Sequence, residues 1–414
     1  MSKNNIELLA PAGSYEALRA AIVAGCDAVY FGLSGFNMRA KTARPFTIDN
    51  LKEIADICHD ANIKCYLALN TLVYDKDVEQ MKRVIDAAKE AKVSAVITFD
   101  MSAIRYAREQ GVEVHISTQH SISNIEAVKF FSEFADRVVL ARELTLEQIK
   151  VITEQIKQDD VRGPGGNLME IEIFIHGAMC VAVSGRCGMS LYMYGTSTNC
   201  GECSQPCRRG FNVTDKSTGK QLDIQNEFVM SAEDLCTIGL LDEILESGAV
   251  SLKIEGRGRA PEYVDIVVGC YREAIDSIDQ GTYSKEKIAE WTERMKTVFN
   301  RGLSDGFYRG KAFKYWSGAA STKATQQKVF IGTVTNFYSD QSVVEVNVHA
   351  SDLEAGQACL ITGETTGVLR ITPEDFRVNE ESATYAEQGD CLTFKVPQRI
   401  RRGDRFYKLL EKKR

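Results

Sequence analysis

Residues 7–33 read ELLAPAGSYEALRAAIVAGCDAVYFGL, and this stretch holds the repeating unit of the first three hundred residues. Its ends, ELLAPAG and AVYFGL, are short β-type apolar runs. Between them, YEALRAAIVAG brings apolar residues back every three or four positions, the spacing of an amphipathic helix. The alternation returns with strand-like KCYLALN from Lys64, AVITFD from Ala95, EVHISTQ from Glu113, RVVLARE from Arg137, IEIFIHG from Ile171 and VSLKIEGR from Val250. Helical stretches such as IDNLKEIADICHDA and DVEQMKRVIDAAKEA lie between them. Eight such strands, alternating with helices, predict an α/β fold in which a parallel sheet closes into a (β/α)8 TIM-like barrel, with an open doubly wound sheet as the alternative. No G-x-G-x-x-G follows the first strand and no G-x-x-x-x-G-K-[ST] occurs, so dinucleotide and P-loop binding lack support.

Beyond the eighth strand, PEYVDIVVGCYREAIDSI and SKEKIAEWTERMKTVF read as helices that complete the barrel, giving a first domain over residues 1–316. SGAASTKATQQ, Ser317 to Gln327, is small and polar and reads as a linker. KVFIGTVTNFY, QSVVEVNVHA, GQACLITG, GVLRITPEDF and CLTFKVPQRI are β-type runs separated by turns, so residues 328–414 are expected to form a small C-terminal all-β barrel. The chain has 414 residues and a net charge of -7, which argues against indiscriminate nucleic-acid binding while leaving room for a local basic surface. Lys395 to Arg414 carries nine basic residues against Asp404 and Glu411. That stretch is either a phosphate-facing strip or a solvated terminal strand and helix. The opening MSKNNIELLAPAG lacks a secretory pattern and no apolar run is long enough to span a bilayer, so a cytoplasmic protein with no membrane partner is expected.

Twelve cysteines in a reducing compartment are poor candidates for disulfides. Cys26, Cys58, Cys65, Cys270, Cys359 and Cys391 sit in apolar periodic segments and read as core residues. The other six fall in an insertion after the seventh strand, over residues 178–236, with spacing C-x6-C-x12-C-x2-C-x3-C and Cys236 separated from Cys207 by 28 residues. Because barrel active sites lie at the carboxyl ends of the strands, Cys180, just past IEIFIHG, begins this segment on the functional face. Four thiolates suit tetrahedral zinc or an iron-sulfur cluster. Only Cys200 and Cys203 form a C-x2-C, which favours a cluster drawing on separated loops. A third possibility is a thiol nucleophile, with His176 four residues before Cys180.

ELLAPAGSYEALRAAIVAGCDAVYFG, HGAMCVAVSGRCGMS, GECSQPCR, MSAEDLC and LKIEGR together resemble the collagenase-like peptidase family thirty-two of unknown type. The resemblance covers the whole barrel, with its motifs in order, and is less sharp over the last hundred residues. It implies iron-sulfur proteins that hydroxylate RNA bases or a quinone ring without molecular oxygen. Length and domain plan resemble the branch that makes 5-hydroxyuridine at the tRNA wobble position with prephenate as cosubstrate. On that resemblance Cys180, Cys187, Cys203 and Cys236 hold a [4Fe-4S] cluster, with Cys207 the alternative ligand and Cys200 a bystander. It further implies tRNA as partner and, for some members, a related family subunit.

For two carboxylates on a cosubstrate, arginine and lysine near strand ends are the candidates: Arg39, Arg142, Lys253 and Arg257, each with a salt bridge as its bland reading. His176, Asn70, Asp100 and Gln119 also fall at strand ends. RNA contact is expected from Arg208 and Arg209 beside the cysteines and from Arg401 and Arg402. Competing readings are a peptidase, for which neither H-E-x-x-H nor G-x-S-x-G is present, an rRNA-base or quinone-ring hydroxylase, and a non-enzymatic RNA-binding scaffold in which a metal staples the long insertion.

Overall fold

The computed structural model describes residues 6–37, 46–184, 186–221, 228, 230–310, 317–318 and 321–412. Its first seven strands are β1 (Glu7–Pro11), β2 (Ala28–Phe31), β3 (Lys64–Leu69), β4 (Ala95–Thr98), β5 (Val114–Ile116), β6 (Arg137–Val139) and β7 (Glu170–Ala178). Two short strands outside the barrel proper follow in chain order around its last member: β8 (Asp234–Cys236), β9 (Ser251–Ile254) and β10 (Leu303–Ser304). Each of β1 to β6 pairs in parallel with the next, and β9 pairs in parallel with both β7 and β1. The sheet is therefore a closed eight-stranded parallel barrel, as the sequence alternation predicts.

The strands take their places because both faces are covered. β1 is buried along its whole length, with the barrel interior on one side and helices on the other. Local signals start the helices: Ser14 accepts from the Ala17 amide ahead of α1 (Tyr15–Val23), and Thr145 forms a capping box with Gln148 ahead of the helix Leu146–Gln158. Part of the barrel interior is an ion network rather than hydrocarbon. Arg137 reaches Glu7 at 2.5 Å and Glu170 at 2.6 Å, Lys253 binds Glu172 at 2.6 Å, and Tyr66 donates to Glu7 at 2.7 Å. Burial opposes ionisation of Glu7, but Arg137 and the Tyr66 hydroxyl overcome it and pull its carboxyl down to about 2. Glu172 is likewise held below the usual carboxylate range, against its burial, by Lys253 and Arg137.

The insertion between β7 and β9 carries a short helix, Met189–Tyr194, and tight turns at Thr198–Cys200 and Pro206–Arg208. It then returns as β8, antiparallel to the second half of β7, with β10 laid parallel against β8. These two short strands extend the barrel wall, and the stretch MSAEDLC that supplies β8 carries no strand alternation that would announce it.

Two helices, Pro261–Asp279 and Lys285–Lys296, complete the barrel. The C-terminal strands are β11 (Gln326–Tyr338), β12 (Val343–Val348), β13 (Leu353–Glu354), β14 (Cys359–Gly363), β15 (Gly367–Ile371), β16 (Phe376–Val378), β17 (Glu381–Ala383), β18 (Tyr385–Ala386), β19 (Cys391–Lys395) and β20 (Arg405–Glu411). Eight form one antiparallel sheet in the order β15-β14-β20-β11-β12-β19-β16-β17, and β13 pairs with β18 apart from it. Ile331, Val346, Ile361, Leu392 and Phe406, from five strands, meet in one core, which a single sheet achieves by curling on itself. The expectation of a terminal helix is corrected here. Residues 405–411 form a central strand between β11 and β14, because Phe406 and Lys408 alternate inward.

This domain is docked on α1 and the helix Pro261–Asp279. Lys328 binds Glu262 at 2.9 Å and Arg370 binds Asp265 at 3.1 Å. At Gly367, φ is +71° and a Cβ would stand 2.9 Å from the Arg19 side chain of α1. Glycine is required there by both backbone and neighbour.

Candidate functional site: a thiol cavity at the barrel mouth

A cavity of about 180 Å³ lies over the carboxyl ends of the barrel strands. Its floor comes from strand ends, including Tyr30 on β2, Asn70 after β3, Gln119 after β5 and Phe174 on β7, and its roof comes from the insertion. Cys180, Cys187, Cys203 and Cys207 all line it. The Cys207 thiol is pushed up by burial, opposed by the adjacent Arg208 and reinforced by the neighbouring Cys180, Cys203 and Cys187 thiols. Cys200 faces elsewhere, its Sγ 3.4 Å from the Tyr74 hydroxyl.

Cys236 stands apart from this group. It is partly buried on β8, packs against the barrel core and hydrogen-bonds Tyr271, and burial raises its thiol to about 11. His176 is paired with it across the two strands, buried between the rings of Tyr263 and Tyr271, with Nδ1 3.4 Å from the Tyr271 hydroxyl. Burial, with Arg259 nearby, lowers its pKa to about 3, so it is neutral at physiological pH. The sequence spacing suggested His176 as a pocket residue. The structure turns it away, and none of the five histidines lines the cavity. A ladder irregularity between Phe174 and His176 reverses the side-chain direction, so Phe174 and Ala178 face the cavity and His176 does not.

Cations surround the thiols. Arg142, Lys253, Arg257, Arg208 and Arg301 line the cavity against a single lining carboxylate, Glu255. Arg142 lies 3.7 Å over the Phe174 ring and donates to the Ala178 carbonyl at 2.8 Å; Arg257 donates to Asn37 at 3.1 Å. Lys253 is held by Glu172, and burial lowers its pKa. Arg208 gives its guanidinium to protein oxygens, Ala232 at 2.6 Å, Met179 at 2.5 Å and Ser231 at 3.1 Å, and so braces the insertion. Arg301, which the sequence reading missed, pairs with Asp234 at 3.4 Å. Burial and the neighbouring Arg208 lower its pKa. It sits in a polar loop after the last barrel helix with no periodic signal to mark it. The buried Nε atoms of Arg142 and Arg301 have no hydrogen-bond partner.

Of the remaining candidates, Asn70 and Gln119 hydrogen-bond each other at the cavity floor, at 3.1 Å. Asp100 caps the helix Met101–Glu109 and accepts from the Val73 amide at 3.0 Å, outside the cavity lining. Arg39 lies outside the described residues. Arg209 is exposed, 5.2 Å from the Tyr194 ring, and Arg401 and Arg402 are exposed on the C-terminal domain.

Among the described residues no group of three His, Cys, Asp or Glu stands close enough to hold a metal ion. Tetrahedral zinc needs its sulfurs about 3.8 Å apart, which follows from Zn–S bonds near 2.3 Å. Cys180, Cys187, Cys203 and Cys207 line one cavity, so together they offer four thiolates to a bound group. The donor set is thus compatible with an iron-sulfur cluster on Cys180, Cys187, Cys203 and Cys207.

Comparison with known proteins places this geometry in a family. A "Collagenase" of Porphyromonas gingivalis is 46% identical over 408 residues, covering 99% of each chain. The "tRNA hydroxylation protein P1" of Bacillus subtilis is 34% identical over 349 residues, 82% of this chain and 79% of that one. The "23S rRNA 5-hydroxycytidine C2501 synthase" of Escherichia coli is 31% identical over 318 residues, 75% of this chain but 46% of the longer relative. Residues 13–318 match peptidase family U32, from the loop after β1 to the end of the barrel. The chain belongs to peptidase family U32.

Proposed function

We propose that this protein is an RNA-modifying hydroxylase that carries a [4Fe-4S] cluster on Cys180, Cys187, Cys203 and Cys207 and forms 5-hydroxyuridine at the tRNA wobble position with prephenate as cosubstrate. The observation that carries the reading is the convergence of four thiols and a ring of cations on one cavity that contains no histidine and a single carboxylate. The tRNA- and rRNA-hydroxylating relatives support RNA as the substrate class. Cys207 takes the place that the sequence resemblance gave to Cys236.

A bound cluster would supply the one-electron redox chemistry that protein side chains lack. The chain's own residues supply positioning. Arg142 and Arg301, each with an uncommitted buried Nε, and Arg257 offer planar donors to the carboxylates of a dianionic cosubstrate. Asn70 and Gln119 present amides at the floor, where a pyrimidine edge extruded from an anticodon loop can be read. Tyr30, Phe174 and Met179 form an apolar wall that keeps bulk water from the reacting ring.

The peptidase reading has the name of the 46% identical relative in its favour. It requires a nucleophile with an activating base, and the one pair suggested by sequence, Cys180 with His176, is broken up by the fold: Cys180 lines the cavity and His176 faces Tyr271. The scaffold reading predicts that modified nucleosides are unchanged when the gene is deleted. The deciding experiment is mass spectrometry of nucleosides from tRNA of a deletion strain grown without oxygen, with complementation by the intact gene and by Cys207→Ala. Loss of 5-hydroxyuridine-derived nucleosides, restored only by the intact gene, is expected. A strain with all of them intact would overturn the proposal.

A further inference from the structure

A second and larger space adjoins the thiol cavity. A cleft of about 890 Å³ runs between the loops after β1 and β9 and the C-terminal domain. Cys203, Gln205, Glu255 and Arg257 line both spaces, so the cleft leads directly to the thiols. Its outer wall includes Arg401 and Arg402, in the turn before β20, and Arg405, the first residue of that strand. All three side chains are exposed, and among the described residues none has a carboxylate within 4.0 Å.

The acids along the cleft do not cancel this charge. Asp404 is buried and is bound by the Thr366 hydroxyl at 2.5 Å and the Arg401 amide at 3.0 Å, and Glu255 accepts from the Ala178 amide at 3.3 Å. Glu16 and Glu364 also line the cleft, against six cations once Arg257, Arg259 and Lys328 are added to the three arginines. Lys328 is held by Glu262, which leaves the arginines of the outer wall as the accessible positive edge. The salt bridges and the Gly367 contact that dock the domain fix this edge opposite the barrel mouth.

We infer that the interdomain cleft is the track for the single-stranded RNA that flanks the target nucleotide, its phosphates on Arg401, Arg402 and Arg405 while the target base passes Cys203 and Arg257 into the cavity. The inference rests on RNA being the substrate. A positive groove opening onto a reaction chamber is what an unstacked strand requires: the backbone is held by charge, and the base alone enters. The C-terminal domain is thereby assigned a role in substrate binding, and the barrel a role in chemistry.

The test uses the full chain, purified without oxygen, and an unmodified tRNA transcript with uridine at the wobble position. Affinity is measured across salt concentrations for the wild type, for Arg402→Glu/Arg405→Glu, and for the charge-matched Lys89→Glu/Lys92→Glu at the opposite face of the barrel. Arg401 is left alone because its charge acts on the buried Asp404 carboxyl, and reversing it would disturb the turn before β20. The cleft variant is expected to bind about ten-fold or more weakly near physiological salt, with a salt slope flatter by about 1.4 for two single-strand phosphate contacts. The control variant should match the wild type. The neutral Arg402→Gln/Arg405→Gln guards against misfolding and should show a smaller loss in the same direction. Wild-type binding with an unchanged cleft variant, or equal losses in cleft and control variants, overturns the track and leaves the hydroxylase reading standing. A wild type that neither binds nor modifies the transcript overturns both.

Discussion

Cys236 and His176 stand opposite each other on β8 and β7, and both meet Tyr271 of the following barrel helix instead of the thiol cavity. The Tyr271 hydroxyl also accepts from the Thr237 amide at 2.9 Å and donates to the Ile175 carbonyl at 2.8 Å. It therefore ties the end of β7 to β8 through buried polar groups of the backbone and of Tyr271. Cys236 is thus held by this network on β8, away from the cavity that Cys180, Cys187, Cys203 and Cys207 line, and burial raises its thiol to about 11.

Cys207→Ala and Cys236→Ala should therefore separate cleanly. The first is expected to abolish iron and acid-labile sulfide while the fold survives, since Cys207 lies on an insertion outside the barrel core. Cys236→Ala should keep both, with stability lower by about 1–2 kcal/mol for the lost packing and hydrogen bond. Metal and sulfide analysis with electron paramagnetic resonance of anaerobic protein decides it. Full iron in Cys207→Ala and none in Cys236→Ala would reverse the ligand assignment.

Arg301 and Arg142 each keep a buried Nε without a partner at the cavity wall. A dianionic cosubstrate that completes them gains charge-assisted hydrogen bonds of about 1.5–3 kcal/mol each. Arg301→Gln is expected to raise the KM for prephenate about 10- to 100-fold, with a smaller effect on the rate at saturation. Initial rates of hydroxylation on a fixed tRNA substrate read this directly, and an unchanged KM would remove Arg301 from cosubstrate binding.

The barrel was legible in the sequence because each strand is a short apolar run closed in on both faces, so that composition alone marks it, as in the fully buried β1. The site was legible only in part. Cys180 and Cys187 could be placed at the mouth because they follow a strand end. That Cys207 lines the cavity and Cys236 does not depends on the path of the insertion, where Arg208 clamps Met179 and Ala232, a contact across the chain that spacing does not encode. His176 misled because the ladder irregularity before it inverts the alternation, and Gly177, at φ +110° with the Glu255 carbonyl 2.5 Å from where a Cβ would lie, turns the chain again. Arg301 comes from more than a hundred residues downstream of β7, carried in by the short pairing of β10 with β8.

The ion network inside the barrel makes stability depend on acid. Glu7 has an ordinary carboxylate value of 4.5 when unfolded and about 2 when folded, where burial is outweighed by Arg137 and Tyr66. Because the folded value is the lower one, its contribution is fully present above pH 4.5 and is lost as pH falls toward 2, a difference on the order of 3 kcal/mol. Glu7→Gln should unfold more easily at neutral pH, since it leaves Arg137 buried with one carboxylate fewer, and should show a shallower loss of stability between pH 4.5 and 2. Denaturant melts at a series of pH values check both effects. Parallel pH profiles for the two proteins would show that Glu7 is not the titrating group.

Gly367 is where the C-terminal domain meets α1, and the position tolerates no side chain for two separate reasons: its φ of +71°, and the Arg19 Cβ 2.9 Å from the site of its own missing Cβ. A β-branched residue in that backbone region costs about 1–3 kcal/mol even in open space. Here the neighbour must also move, and the neighbour belongs to the other domain. Gly367→Val is therefore expected to weaken docking before it weakens either core, because the barrel cluster and the C-terminal cluster are separate sets of side chains. Hydrogen exchange should rise in α1 and β15 while β3 and β12, each deep in its own domain, keep their protection. RNA affinity should fall with it, since this contact, the packing of Val368 on the barrel core and the salt bridges of Lys328 and Arg370 hold the arginines of the cleft opposite the barrel mouth. Unchanged exchange in α1 and β15 would mean that the docking does not depend on Gly367. A rise shared equally by all four elements would mean that the domains unfold as one unit.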